Sequence, residues 1–416
     1  MRHLPSTLHH RDYRLLWLSI LVSGFAANMI AVAVGWQVYS INGSAFDLGL
    51  IGLAEFVPLV LLALPAGQLA DRLPRRGVVA ASLAAQMVVA GLLIVITLHG
   101  AHVLWPFLLM AFLTGASTAF GNPAGRALLP ELVPVDLFEE AIALRSIAYQ
   151  VSTIGGPAIG GLLFAVHEVS VYVISVGLLA IGAVCALLLT PRAAASLGEP
   201  PGLKSLLGGI RFIRDTRVLL GAITLDLFAV LFGGAIALLP LYAKSILHTG
   251  PLGLGVLRSM PAVGALAGAV LLTRRPLGGR AGEKLLLVVA HFGISTIVFG
   301  LSRSLWLSAL ALAFGGFVDM FSMNIRSTIV GLATPNELRG RVNSVEGVFI
   351  SASNELGAFE SGVAAALLGA TTAVVAGGVV TIALALVWPK VFPEVARIDR
   401  LEEVSPAPTP EALAVD

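Results

Sequence analysis

"GQLADRLPRR", residues 67–76, ends an apolar run with four charges in quick succession, Asp71, Arg72, Arg75 and Arg76, whereas residues 56–70 carry none. A chain shows such a junction where it leaves hydrocarbon: about 20 apolar residues cross a bilayer, and Lys and Arg collect in the cytoplasmic loops. Working outward, the composition agrees. Of 416 residues, 57% are hydrophobic and 12% charged, against about 25% charged in soluble domains. Mean hydropathy is +0.92. So few charges do not cover a soluble surface of this size. The net charge of +2 gives no footprint for nucleic acid. The single cysteine, Cys185, excludes a disulfide framework or a cysteine zinc site. The basic start MRHLPSTLHHRDYR leads into a long apolar run without a small-residue cleavage site, which reads as a first membrane helix and not a signal peptide.

Twelve apolar stretches are long enough to span: 14–41, 46–70, 77–99, 104–128, 139–165 and 170–190, then 218–245, 251–273, 284–302, 305–332, 342–369 and 371–393. Backbone groups in lipid must be satisfied within the segment, so these are predicted helices and the fold is all-α. Of the 26 basic residues, Lys244, Arg258 and Arg303 fall on one side and the rest on the other. Both termini are therefore expected in the cytoplasm. The predicted organisation is a six-helix bundle over 1–190, a cytoplasmic linker over 191–217, a second bundle over 218–395, and a disordered tail over 396–416. In the linker, Leu203, Leu206, Leu207, Ile210 and Ile213 recur at helical spacing, which predicts an amphipathic helix on the inner leaflet.

The halves repeat. Asn122, Pro134, Leu137, Gly156 and Gly161 meet Asn324, Pro335, Leu338, Gly357 and Gly362 at an offset of 201 or 202 positions, and Pro58 meets Pro261 at 203. An even number of crossings per half makes the repeat parallel, as in secondary transporters with a site between the halves.

Gly67, Leu69, Asp71, Arg72, Arg75 and Arg76 resemble motif A of the major facilitator superfamily, with Pro74 where that pattern usually has glycine. The resemblance covers nearly the whole chain and implies two pseudo-symmetric six-helix bundles that alternate access. It implies that Asp71 meets the start of crossing 11 near Val342, a helix N-terminus that attracts negative charge, with Arg72 or Arg75 reaching Glu346 and Arg126 joining this switch. Gly156-Pro157-Ala158-Ile159-Gly160-Gly161 is similar to the GPxxGG core of motif C of drug:proton antiporters, although Ala143 and Ser152 replace glycines of the longer pattern. NPAGRALLPELVP, residues 122–134, and DYRLLWLS, residues 12–19, resemble the branch that includes the enterobactin exporter.

Ionisable groups at membrane depth are costly and mark function. Asp226, Asp319, Glu55 and Glu355 are the candidate proton carriers. In the superfamily, crossings 1, 4, 7 and 10 line the cavity, which implies that Asn28, Asn122, Asp226 and Asp319 face it. Arg145, Arg258 and Glu360 are candidates for the seams between the halves. There is no Walker A loop, no nucleophile elbow and no histidine pair at metal-ligand spacing. The chain is thus expected to be no enzyme, to need no cofactor or metal and to be driven by something other than ATP. The expected partners are the bilayer of the cell membrane, protons and a small amphipathic substrate, siderophore or drug, exported by a monomer without nucleic acid. Two rivals stand beside this: a nutrient or ion importer or facilitator of the same fold, and a membrane sensor or scaffold that does not transport.

Overall fold

The computed structural model describes residues 6–100, 102–190, 203–275 and 278–406. Among them are twelve long helices and no strand. Crossings 1 to 6 are Arg11–Asn42, Ala45–Arg72, Arg75–Leu98, Trp105–Leu132, Phe138–Val166 and Glu168–Leu187. Crossings 7 to 12 begin with Arg217–Gly233 and continue with Gly250–Arg274, Ala281–Leu301, Leu305–Ala333, Asn336–Leu368 and Ala370–Val391. Ten of the twelve contain a stretch long and apolar enough to cross a membrane by length and composition. The other two, Trp105–Leu132 and Asn336–Leu368, are as long but diluted by small and polar residues such as Thr114, Ser117, Asn122, Ser353 and Glu355.

Local chemistry sets the helix ends. Gly43 takes φ 65° and its N–H closes crossing 1 on the Tyr39 carbonyl, a left-handed step that suits a residue without Cβ. The next residue, Ser44, caps crossing 2 by accepting from the Asp47 N–H. Crossing 7 departs from the continuous helix expected over 218–245. It stops at Gly233, passes through Gly234 and Ala235, and resumes as a 3-10 turn over Ile236–Leu238, a short turn over Leu239–Leu241 and a π-helical turn over Tyr242–Ile246. Two successive glycines weaken the helix, and Pro240 supplies no N–H to restore its ladder.

The chain packs as two compact units. One comprises residues 1–200 with 240–259, the other 201–239 with 260–416. In the first, crossing 1 lies against 5 and 6, and crossing 3 against 4 and 6; in the second, crossing 7 lies against 11 and 12, and crossing 9 against 10 and 12. The packing thus repeats as the sequence does. In lipid, helix association rests on close packing, because interhelical hydrogen bonds average only about 0.6 kcal/mol. Glycines provide it: a Cβ on Gly115 would overlap the Glu55 carbonyl, and one on Gly316 the Pro261 carbonyl. Polar pins add register. The Tyr13 hydroxyl donates to the Ala141 carbonyl at 2.7 Å, the Trp17 indole to the Leu144 carbonyl at 2.8 Å, and buried Gln37 joins Thr97 and Tyr172.

Two further segments pack on the second unit. The linker helix, Leu203–Asp215, packs within the second unit. Phe212 and Ile213 enter a core with Val330, Val342 and Val345, and Gly209 lets the helix approach the Arg341 backbone. Leu207 and Ile210 of the expected apolar stripe stay exposed. The described residues after crossing 12 also pack there. The Ala281 and Gly282 amides donate to the Asp399 and Ile398 carbonyls at 2.9 Å, and Ile398 and Leu401 pack on the core around Trp388.

Candidate functional site

Three charges meet inside the second unit. Arg326 on crossing 10 is paired with Asp226 on crossing 7, and its Nε lies 3.9 Å from the Glu346 carboxylate on crossing 11. Side-chain exposure is 7% for Arg326, 12% for Asp226 and 16% for Glu346. At about 1.5 Å per residue, all three lie some 10–15 Å inside their helices from the end that carries the linker. Charges at that depth persist when they satisfy one another. Two carboxylates around one guanidinium leave a formal charge of −1, so the cluster becomes neutral when one acid takes up a proton. Arg326 is absent from the residues the sequence singled out; its signal is a lone arginine two turns inside an otherwise apolar helix end, on the same stripe as Asp319 seven residues earlier. Asp319 itself is exposed, and among the described residues it has no ion-pair partner.

The end of the first unit that carries residues 67–76 holds a second polar group. Arg75 pairs with Glu131 on crossing 4 and donates to the Ala127 carbonyl at 3.1 Å. Arg76 donates to the Leu189 carbonyl at 2.5 Å. Within the first unit Glu131 engages Arg75, and within the second Arg326 engages Glu346. Arg72 and Arg126 are exposed. Nothing lies within 4 Å of a Cβ built on Gly67, so packing does not demand glycine there. The Asp71 side chain, and with it the expected contact to crossing 11, lies outside the described residues. Glu131, also missed, sits inside the quoted stretch 122–134.

The GPxxGG stretch is a packing surface. Gly156 and Gly160 abut Asn28 and Met29 of crossing 1, while Gly161 and Pro157 meet the Pro251–Gly255 turn of crossing 8, where a Cβ on Gly255 would lie 2.5 Å from the Pro157 carbonyl. Asn28 rests on Gly156, and its amide turns back to the Gly24 carbonyl at 2.9 Å. Asn122 is exposed, and Glu55, Glu355 and Arg145 are intermediate. Arg258 donates to the Ala31 carbonyl of crossing 1 at 3.1 Å. Nearby, Tyr39 and Ser245 share a hydrogen bond of 2.7 Å, and Lys244 donates to Ser40 at 2.6 Å while lying over the Trp36 ring. Glu360 lines a small cavity beside the break of crossing 7.

Among solved structures, a bacterial homologue of the human lysosomal transporter Spinster matches with a TM-score of 0.73 over 93% of this chain and 98% of that one, at 15% identity. A POT family transporter matches with a TM-score of 0.74 over 92% and 96%, at 14% identity. At the sequence level, macrolide efflux protein A of Streptococcus pyogenes is 24% identical over 92% of this chain and 96% of its own length. The enterobactin exporter EntS of Citrobacter koseri is 27% identical over 81% of each. The multidrug efflux pump Tap of Mycolicibacterium fortuitum is 27% identical over 84% and 88%. Residues 5–415 match the transmembrane secretion effector family. With twelve helices in two repeated sets and a match along nearly its full length, the chain belongs to the transmembrane secretion effector family of the major facilitator superfamily.

Proposed function

We propose that this secondary transporter exports a moderately hydrophobic small molecule, of the macrolide or siderophore kind, from the cytoplasm in exchange for protons. Its termini lie in the cytoplasm and its two halves alternate access. Efflux relatives that align over most of the chain support the direction. The observation that carries the coupling is the Asp226–Arg326–Glu346 cluster. A proton taken up there removes the excess charge of a site in low dielectric, where charge is expensive. The arginine stays buried throughout and shifts its partnership toward the acid still ionised. Asp319, unpaired and on the same stripe of crossing 10, is the second proton carrier in this reading. Asp71 serves as the latch at the cytoplasmic end, and Arg75 is held ready for it by Glu131.

Everted membrane vesicles test this. Dye or macrolide uptake should depend on an imposed proton gradient, collapse with a protonophore, and lose its pH dependence in Asp226→Asn or Asp319→Asn. Flux that runs equally in both directions without a gradient refutes antiport. Unaltered pH profiles in both variants remove these acids from the mechanism.

A further inference from the structure

The break in crossing 7 creates a cluster of oxygen atoms that the proton reading does not use. At its C-terminal end, the Arg217–Gly233 helix gives up its regular ladder. Helix ends leave carbonyls without intrahelical donors, and here side chains take two of them. The Thr296 hydroxyl of crossing 9 shares its proton between the Gly233 carbonyl at 3.3 Å and the Phe292 carbonyl of its own helix at 3.0 Å, and the Ser361 hydroxyl of crossing 11 donates to the Gly234 carbonyl at 3.0 Å. Crossings 11 and 12 close tightly on the same end. Gly357 lies 3.2 Å from the Leu231 carbonyl, measured from an ideal Cβ, and Gly377 is in contact with that of Phe232. Between these elements lies a cavity of about 10 Å³ lined by Gly233, Gly234, Thr296, Glu360 and Ser361 on its polar side. That is room for one water-sized sphere.

The chemistry of the lining is lopsided. Each hydroxyl spends its proton on a carbonyl and keeps lone pairs for the cavity. The carbonyls and the Glu360 carboxylate are acceptors. Among the described residues Glu360 makes no ion pair. Arg303 is occupied by the Gly300 and Ser302 carbonyls and the Thr371 hydroxyl. A charged carboxylate in such a lining, where the Ser361 hydroxyl is the neighbouring donor, gains most from a positive partner, since buried charges are paired or coordinate metals. Unwound backbone carbonyls beside a carboxylate on a neighbouring helix are the way membrane proteins hold small dehydrated cations.

We infer that the break of crossing 7 and the Glu360 carboxylate form a binding site for one sodium ion. The ligands are the Glu360 carboxylate, the Gly233 and Gly234 carbonyls, and the Ser361 and Thr296 hydroxyls. The ion ties crossings 7, 9 and 11 together at the point where crossing 7 has lost its own hydrogen bonds. Sodium binding itself stands apart from the export reading; a sodium dependence of transport rests on it.

The test is thermal unfolding of the full chain, purified in detergent, with NaCl, KCl or choline chloride at matched ionic strength. Sodium should raise Tm by about 2 °C or more in a saturable way, and the other salts should not. Glu360→Gln, which keeps volume and removes the charge, should abolish the response. Ser361→Ala should raise the sodium concentration at half-effect severalfold, and it serves if the first variant fails to fold. An equal response to the three salts overturns the site, as does a sodium response that survives in both variants. Dye efflux in vesicles separates the two readings. Export with no sodium-specific stabilisation of the purified protein sinks the site and keeps the exporter; sodium-specific stabilisation without export in any gradient keeps the site and sinks the exporter.

Discussion

Replacing Arg326 by methionine is the sharpest perturbation of the buried cluster. Methionine fills a similar volume but leaves Asp226 and Glu346 at 12% and 16% exposure with no cation between them. A unit charge pair near 4 Å interacts by about 4 kcal/mol at an effective dielectric of 20; the guanidinium satisfies two carboxylates, one in direct contact and one at 3.9 Å. Its removal strands both acids, and deleting one member of a buried pair costs about 3–5 kcal/mol. For a bundle of this size that is a fall in Tm on the order of 10 °C. The diagnostic variant is the triple Asp226→Leu, Arg326→Met, Glu346→Leu. Replacing a whole buried ionic group by apolar residues of similar volume is neutral or stabilising by about 1–4 kcal/mol, so the triple should recover the stability lost by the single variant while transport stays absent. Detergent melts read the first quantity and vesicle uptake the second. An Arg326→Met protein that melts with the wild type, or a triple variant less stable than the single, refutes the reasoning.

Other perturbations test other parts. Gly316→Ala should lower Tm and expression, because its Cβ would overlap the Pro261 carbonyl, a backbone atom that has no rotamer to yield; Gly331→Ala in the same helix meets nothing within 4 Å and should gain about 0.4–1 kcal/mol. Arg75→Gln should leave Glu131 without its guanidinium and slow vesicle uptake, with Glu131→Gln/Arg75→Gln recovering stability but not rate. At the chain's far end, the Glu394 carboxyl is held below the usual carboxylate range, first by its own backbone amide and then by Arg217 at 2.7 Å. A depressed folded-state value stabilises above the ordinary carboxylate pKa and is lost as pH falls through the depressed one. Glu394→Gln should therefore lower Tm at neutral pH and converge with wild type in acid.

The sequence carried the architecture because lipid enforces it. Length, hydropathy and the offset of about 200 residues between Gly156 and Gly357 or Asn122 and Asn324 are one-dimensional signals, and each predicted crossing has its helix. Pairings across helices are not one-dimensional. Asp226 was visible as a charge at depth, but its partner lies 100 residues on and could pass for an inner-end anchor. Arg75 lies in the motif-like stretch, but its partner Glu131 is 56 positions away on crossing 4. Broken helices hide for a related reason. Gly233-Gly234 in an apolar run reads as close packing or as an interruption, and the choice depends on Thr296 and Ser361 arriving from two other helices.

These pairings bear on how such a protein moves. Among the described residues, Arg326 and Arg75 each bind acids of their own unit. Such pairs resist rearrangement inside a bundle, because exposed pairs are worth about 0–1 kcal/mol whereas stranding one partner of a buried pair costs about 3–5 kcal/mol. In the proposed exchange, a proton bound by the Asp226–Arg326–Glu346 cluster acts at a joint. Crossings 7, 10 and 11 meet there, and crossing 7 is broken further along at Gly233. A helix with an interrupted ladder can bend at the interruption while the turns on either side stay regular. Restoring continuity tests this role: Gly233→Ala/Gly234→Ala favours helix through the break by about 1 kcal/mol per residue. Both positions are tight, Gly233 against the Phe292 and Thr381 side chains and Gly234 against the Val230 carbonyl of its own helix, so Gly234→Ala, which presses on no neighbouring helix, is the variant to measure. It should slow turnover more than it changes substrate affinity. Unchanged turnover would mean that the break serves binding alone and not motion.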